Sequence, residues 1–115
     1  MPFISVNLSA VITKAQKDEI KTCLGKLIEI IPSKSEKGLM VDISDGHALY
    51  YAGQEMQNAA FIDVRLYKDS PFDEKGEFFR QTVKMLAEVA GVDPQSVYCN
   101  IFELQNWGSR GEFRR

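Results

Sequence analysis

The sequence repeats itself. Shifting the 115-residue chain by 58 places sets Phe3–Leu8 (FISVNL) on Phe61–Leu66 (FIDVRL), with four of six residues identical. With no gap, the same shift sets Leu39–Ile43 on Val97–Ile101. Between them, Ile20, Leu24, Leu27, Ile28 and Ile31 fall on Phe78, Thr82, Met85, Leu86 and Val89. The outer segments alternate apolar and polar residues, the period of a half-buried strand, and the middle one recurs every three to four residues, the period of a helix face. Strand, helix and strand in one register make two tandem β–α–β units, about 2–58 and 60–115, in a single domain over 1–115. A long helical crossover demands parallel pairing inside each unit with a right-handed connection. The implied class is α+β, a four-stranded sheet with both helices on one face. A two-layer sandwich this small gains by burying its open face against copies of itself, so an obligate oligomer is expected.

Local signals set the boundaries. The first strand covers about 2–8, and Thr13 with Gln16 forms a capping box for a helix from about 14 to 31 that Pro32 ends. A polar loop over 32–38 precedes a strand at 39–43, and the turn-rich stretch after it holds a short strand at 49–51. A third long strand is expected at 59–67, then a helix from about 73 to 90, capped by Ser70 or Asp73 and stopped by Gly91. The last long strand is 97–104, and the tail NWGSRGEFRR reads as a hairpin or an extended edge.

Composition narrows the function. The net charge is −2 with no basic cluster, and Arg114 and Arg115 are too few for a nucleic-acid footprint. No apolar run approaches the roughly 20 residues of a membrane span. The start has neither the basic region nor the long apolar region of a signal peptide. Cys23 and Cys99 lack metal-ligand spacing, and with a single His no metal site is expected. These readings point to a cytoplasmic protein needing no cofactor.

Pro2 opens the first strand. A methionine followed by a small residue is usually trimmed, which would leave Pro2 as a free secondary amine. An α-amino group has a pKa of about 7.7–8.0. Burial or nearby cations lower it toward working pH, where a general base is most effective.

The Met-Pro start, the tandem β–α–β units, the length, and VDPQSVYCNIFELQNWG together resemble the tautomerase superfamily, and within it the macrophage migration inhibitory factor-like group. The last stretch carries that group's Pro-x-x-Val-Tyr-x-Asn pattern followed by Trp-Gly. The resemblance implies a homotrimer with active sites at subunit interfaces and a catalytic N-terminal proline, matched by Pro2. Lys34 matches the lysine that binds the substrate carboxylate, with Lys37 as an alternative. Tyr98 and Asn100 match residues that reach the site from a neighbouring subunit, and Tyr67 falls where the group uses a backbone N–H. The Gly-Lys-Pro order, the Cys-x-x-Cys pair and the C-terminal sequence of many members are absent here.

Other residues have competing readings. Arg65 is a surface charge or a second carboxylate clamp. Trp107 is a pocket wall or an interface anchor. His47 is expected exposed in a turn, and Asp42 and Asp63 on strands have no assigned function. The combined expectation is a keto–enol tautomerase of a small, phenylpyruvate-like 2-keto acid. Two alternatives stand beside it. One is hydration or dehalogenation of an unsaturated acid, for which Glu36 is the only nearby carboxylate. The other is a non-enzymatic binding or signalling role.

Overall fold

The computed structural model describes residues 1–115. Four long strands, β1 (Pro2–Leu8), β2 (Met40–Ser44), β5 (Ala60–Tyr67) and β6 (Val97–Leu104), form one sheet in the order β2-β1-β5-β6. Two short hairpins, β3 (Tyr50–Tyr51) with β4 (Gln54–Glu55) and β7 (Trp107–Ser109) with β8 (Glu112–Arg114), stand apart from it. The helices are α1 (Lys14–Leu27) and α2 (Phe72–Ala90).

The strand register carries the repeat. β1 pairs with β2 in parallel, Phe3 against Met40, and β5 pairs with β6 in parallel, Phe61 against Tyr98, the same pairing 58 places on. β1 and β5 run antiparallel, with Ser5 opposite Asp63, Ile4 opposite Val64 and Val6 opposite Ile62. Each β1 residue thus faces a residue of the duplicate unit, Ser5 faces its own duplicate, and a local twofold axis pierces the sheet between Ser5 and Asp63.

Alternation decides the core. Ile4, Val6, Leu8, Ile62, Val64 and Leu66 point to the helices and are buried. Against them pack Ile20, Leu24 and Ile28 from the first unit and Phe78, Met85 and Leu86 from the second. Thr82 is the one polar member of the buried stripe, and its hydroxyl donates to the Phe78 carbonyl at 2.7 Å. A buried hydroxyl so satisfied avoids the cost of an unpaired polar group.

Element ends differ from the sequence reading in three places. The capping box forms as expected, Gln16 N–H donating to Thr13 Oγ1 at 3.1 Å and Thr13 N–H to Gln16 Oε1 at 2.8 Å. Helix α1, however, stops at Leu27 and tightens into a 3₁₀ turn over Ile28–Ile30 before Pro32. Neither Ser70 nor Asp73 caps α2. Pro71 holds the cap position with no side-chain acceptor, and the Ser70 N–H donates to Glu103 Oε2 at 2.6 Å. Asp73 and Glu74 in the first turn favour the helix dipole instead. Gly91 ends α2 at φ +66°, as its residue type predicts. The short strand near 49–51 pairs with a second one, and the tail is a hairpin, not an open edge.

Both hairpins turn on two residues of positive φ, Ala52-Gly53 (53° and 77°) and Arg110-Gly111 (51° and 80°). Positive φ at both central residues matches the type I′ turn suited to two-residue hairpins. The turns are 58 places apart, so the hairpins are duplicates too.

No helix covers the sheet face away from α1 and α2, and Tyr51 of the β3–β4 hairpin stacks on it at Tyr98. A polar row of Asp42, Ser5, Asp63 and Asn100 crosses its middle. Phe61, Phe102 and Met40 are exposed on the flanking rows. Asp63 Oδ1 is buried without a hydrogen-bond partner, while Oδ2 lies 3.7 Å from Arg65 Nη2. No helix is long and apolar enough to cross a membrane.

Candidate active site

Pro2 is buried at the start of β1, in register with Leu66. Met1 leads from it into a cleft of about 950 Å³. The chain bends to build that cleft from three places. The loop before β2 supplies Lys37 and Gly38, the adjoining strand ends supply Arg65 and Leu104, and the β7–β8 hairpin closes the third side with Trp107, Ser109 and Arg114. Lys37, Arg65, Arg110 and Arg114 line the cleft, and no carboxylate does. In a chain of net charge −2, this one-signed lining favours an anion.

Lys34 reaches the same end of the sheet. Ser33 turns through φ +69°, left-handed backbone usually left to glycine, and its duplicate Gly91 adopts φ +66°. After that turn, Lys34 Nζ donates to the Tyr67 carbonyl at 2.9 Å. Burial lowers the Lys34 pKa. The N-terminal amine is likewise pushed below its ordinary value of 8.0, first by burial and second by the Lys34 charge. Both effects favour a neutral amine.

Several solved structures share this architecture. MIF2 of Leishmania major superposes with a TM-score of 0.89 at 16% identity, over 98% of this chain and 97% of that one. A macrophage migration inhibitory factor-like protein from Entamoeba histolytica gives 0.85 at 23% identity, covering 97% of each chain. N1, a member of the cis-3-chloroacrylic acid dehalogenase family, gives 0.84 at 18% identity, over 98% of this chain and 83% of that one. The chain has the tautomerase-superfamily fold. No family model matches the sequence, and no curated protein matches it.

Within this tautomerase fold, the residues singled out from sequence fall into two groups. Pro2, Lys34, Arg65, Tyr67 and Trp107 gather at the cleft end of the sheet. The Tyr67 carbonyl holds Lys34, and its hydroxyl donates to the Arg115 carbonyl. The Tyr67 and Trp107 rings lie 6.3 Å apart, which ties the hairpin to the end of β5. Tyr98 and Asn100 share the open face, in register with Phe61 and Asp63. Tyr98 stacks on Tyr51 at 5.0 Å. Pro2 is in register with Leu66 at the other end of β5, so one chain does not bring Tyr98 or Asn100 to Pro2.

One residue is corrected and three are added. Glu36 is not in the cleft. A side chain on Gly25 would meet Glu36 Oε2 at 2.3 Å, so this carboxylate lies folded against α1. Ser109, Arg110 and Arg114 line the cleft and were not foreseen as site residues. Their signal was the Arg110-Gly111 turn, which folds the tail back over Met1.

Proposed function

We propose that the protein is a homotrimeric keto–enol tautomerase of a small 2-oxo acid, phenylpyruvate-like, with Pro2 as general base. The carrying observation is the placement of the chain start. An amine whose charged form is disfavoured opens onto a cleft lined by cations and no carboxylate. Removal of Met1 would leave the Pro2 nitrogen as the terminal amine beside this cleft. Neutral Pro2 takes a proton from the carbon beside the carbonyl and returns it to the enolate oxygen, or runs the reverse. Lys34, Lys37 or Arg65 supplies the countercharge for the substrate carboxylate. Electrostatic stabilisation of the enolate oxygen and one base of suitable pKa suffice for this chemistry.

The open sheet face, with Phe61, Phe102 and Met40 exposed, supports assembly through that face. In such a trimer, Tyr98 and Asn100 of an adjacent copy complete the site that a single chain leaves without them. The hydratase or dehalogenase alternative needs a carboxylate to activate water, and Glu36 is turned away from the cleft.

The test is intact mass together with phenylpyruvate tautomerisation by the native protein and Pro2→Ala. Loss of Met1 and a fall of at least about a hundredfold, the scale of a lost general base, support the reading. Retained Met1, or an unchanged rate in Pro2→Ala, returns the protein to a non-enzymatic binding role.

A further inference from the structure

The repeat also duplicates an ion pair. Lys17 Nζ lies 3.0 Å from Asp45 Oδ1, and Lys75 Nζ lies 2.9 Å from Glu103 Oε2. Lys75 and Glu103 stand 58 places after Lys17 and Asp45. A backbone contact is duplicated with them. The Ile12 N–H donates to Asp45 Oδ2 at 2.9 Å, and the Ser70 N–H, again 58 places on, donates to Glu103 Oε2 at 2.6 Å. Each carboxylate thus joins the start of its unit's helix to the end of an edge strand. The four side chains are 18–31% exposed, against 43–82% in the helical pairs Lys14–Asp18 and Arg80–Glu77. Fully exposed ion pairs hold little, so the two duplicated pairs are the ones sheltered enough to fix backbone. Lys75 first and the Ser70 N–H second hold the Glu103 carboxyl below its ordinary pKa. At Asp45 the Ile12 N–H acts first and Lys17 second.

Each pair stands at the root of a hairpin. Asp45 follows β2 and precedes β3–β4, and Glu103 lies near the end of β6 and precedes β7–β8. The two roots are otherwise secured differently. At the first, the Gly46 and His47 N–H groups donate to the Ala10 and Leu8 carbonyls at 3.1 and 3.0 Å. At the second, the Lys68 N–H donates to the Leu104 carbonyl at 2.8 Å. Beside it stands a side-chain bond between exposed groups, Gln105 Nε2 to Asp69 Oδ1 at 3.0 Å. The second hairpin therefore leans more on its carboxylate. It is also the hairpin that brings Trp107, Ser109 and Arg114 to the cleft, whereas the first brings Tyr51 to Tyr98.

We infer that Lys75 and Glu103 are positioning residues of the cleft: their ion pair, together with the Ser70 N–H, fixes where the β7–β8 hairpin leaves the sheet and so how closely Trp107 and Arg114 approach the chain start. Neither residue lines the cleft, so both act through the hairpin. The consequence for catalysis rests on the reading of Pro2 as the base. Pro2 stands on β1, outside the hairpin, so loosening the hairpin raises KM and leaves kcat nearly unchanged. The Lys17–Asp45 pair has the same chemistry at the sealed end and serves as the internal control.

The experiment compares Glu103→Gln and Lys75→Met with the duplicate changes Asp45→Asn and Lys17→Met, and with Lys75→Arg, on Met1-trimmed protein. Trp107 is the only tryptophan in the chain, so its emission maximum and its quenching by acrylamide report on the hairpin directly. Glu103→Gln and Lys75→Met should move the emission to longer wavelength and increase the quenching. They should raise KM for phenylpyruvate by about two- to tenfold, between the value of an exposed ion pair and that of a charge-assisted hydrogen bond. Asp45→Asn and Lys17→Met should leave emission and KM as they are, and Lys75→Arg should behave as native. Native emission and KM in Glu103→Gln overturn the inference, as does altered emission with an unchanged KM. The same changes in Asp45→Asn also overturn it, because they mark a general loosening of the fold. If Lys75→Met does not fold, Glu103→Gln, which keeps the shape of the side chain, decides. Native protein that does not tautomerise phenylpyruvate removes Pro2 as the base and leaves the hairpin open to test. Emission and quenching of Glu103→Gln against Asp45→Asn then decide alone.

Discussion

The two ends related by the local twofold axis have the same backbone and opposite chemistry. Pro2 corresponds to Ala60, Lys34 to Val92, Met40 to Tyr98, Ser109 to Tyr51 and Arg114 to Met56, each 58 places on or back. At one end, a partly buried lysine and the hairpin arginines surround a cleft. At the other, Ala60 and Val92 are buried, and Tyr51 of the β3–β4 hairpin stacks on Tyr98. Strand register and hairpin turn are shared, so neither makes the site. The side chains that seal one end and leave the other open and cationic make it.

The equivalence of the two cores can be broken first. Ile4 and Ile62 are duplicates, and each is fully buried. Ile4→Ala and Ile62→Ala should each cost about 2–5 kcal/mol by denaturant unfolding, and a large inequality would show that the units are not energetic equals. The difference between the ends is sharpened next. Pro2→Ala should lower the tautomerisation rate by at least about a hundredfold, about 2.7 kcal/mol of barrier. Its duplicate change, Ala60→Gly, should act on stability, by about 0.5–1 kcal/mol. An Ala60→Gly variant that lost activity without losing stability would contradict the assignment. At the sealed end, Tyr51→Ala removes the stack on Tyr98 and should cost about 1 kcal/mol in unfolding beyond the lost area.

Lys34 gives the last and smallest contrast, because its charge is the lesser of the two causes that lower the terminal amine. The proposed base works when neutral, so the rate should rise with pH and level off above the apparent pKa of the Pro2 amine. Removing a like charge makes protonation easier, so Lys34→Ala should move that limb to higher pH. The duplicate change Val92→Ala should leave the limb where it is. A limb shifted to lower pH by Lys34→Ala would overturn the electrostatic account.

The long elements were legible because their signals are redundant. Strand alternation, helix periodicity and the repeat agree on β1, β5, β6 and the two helices, and β6 matches its expected bounds of 97–104. The hairpins carry strands of two or three residues, too short for alternation to register; one strand of the first was expected, and the tail was read as either a hairpin or an extended edge. Helix ends depend on tertiary partners. Glu103 draws the Ser70 N–H away from a capping role that the sequence suggests. The place of Pro2 at the head of a strand was legible because the alternating run begins directly after it. Arg114 was not, because in the sequence it is a tail charge, and only the turn at Arg110-Gly111 returns it to Met1. Glu36 was misplaced because a glycine's missing side chain, at Gly25, admits it to the helix surface.

The contact between Met1 Sδ and Arg114 Nη1 at 3.5 Å also means that the two ends of the chain meet. A circular permutant joining them through a short linker, and opened at Ala52-Gly53, would keep every ladder of the four-stranded sheet. Its Pro2 nitrogen, however, would be locked in an amide with no basicity. Such a molecule would have the native architecture and no base, separating what the fold requires from what the reaction requires.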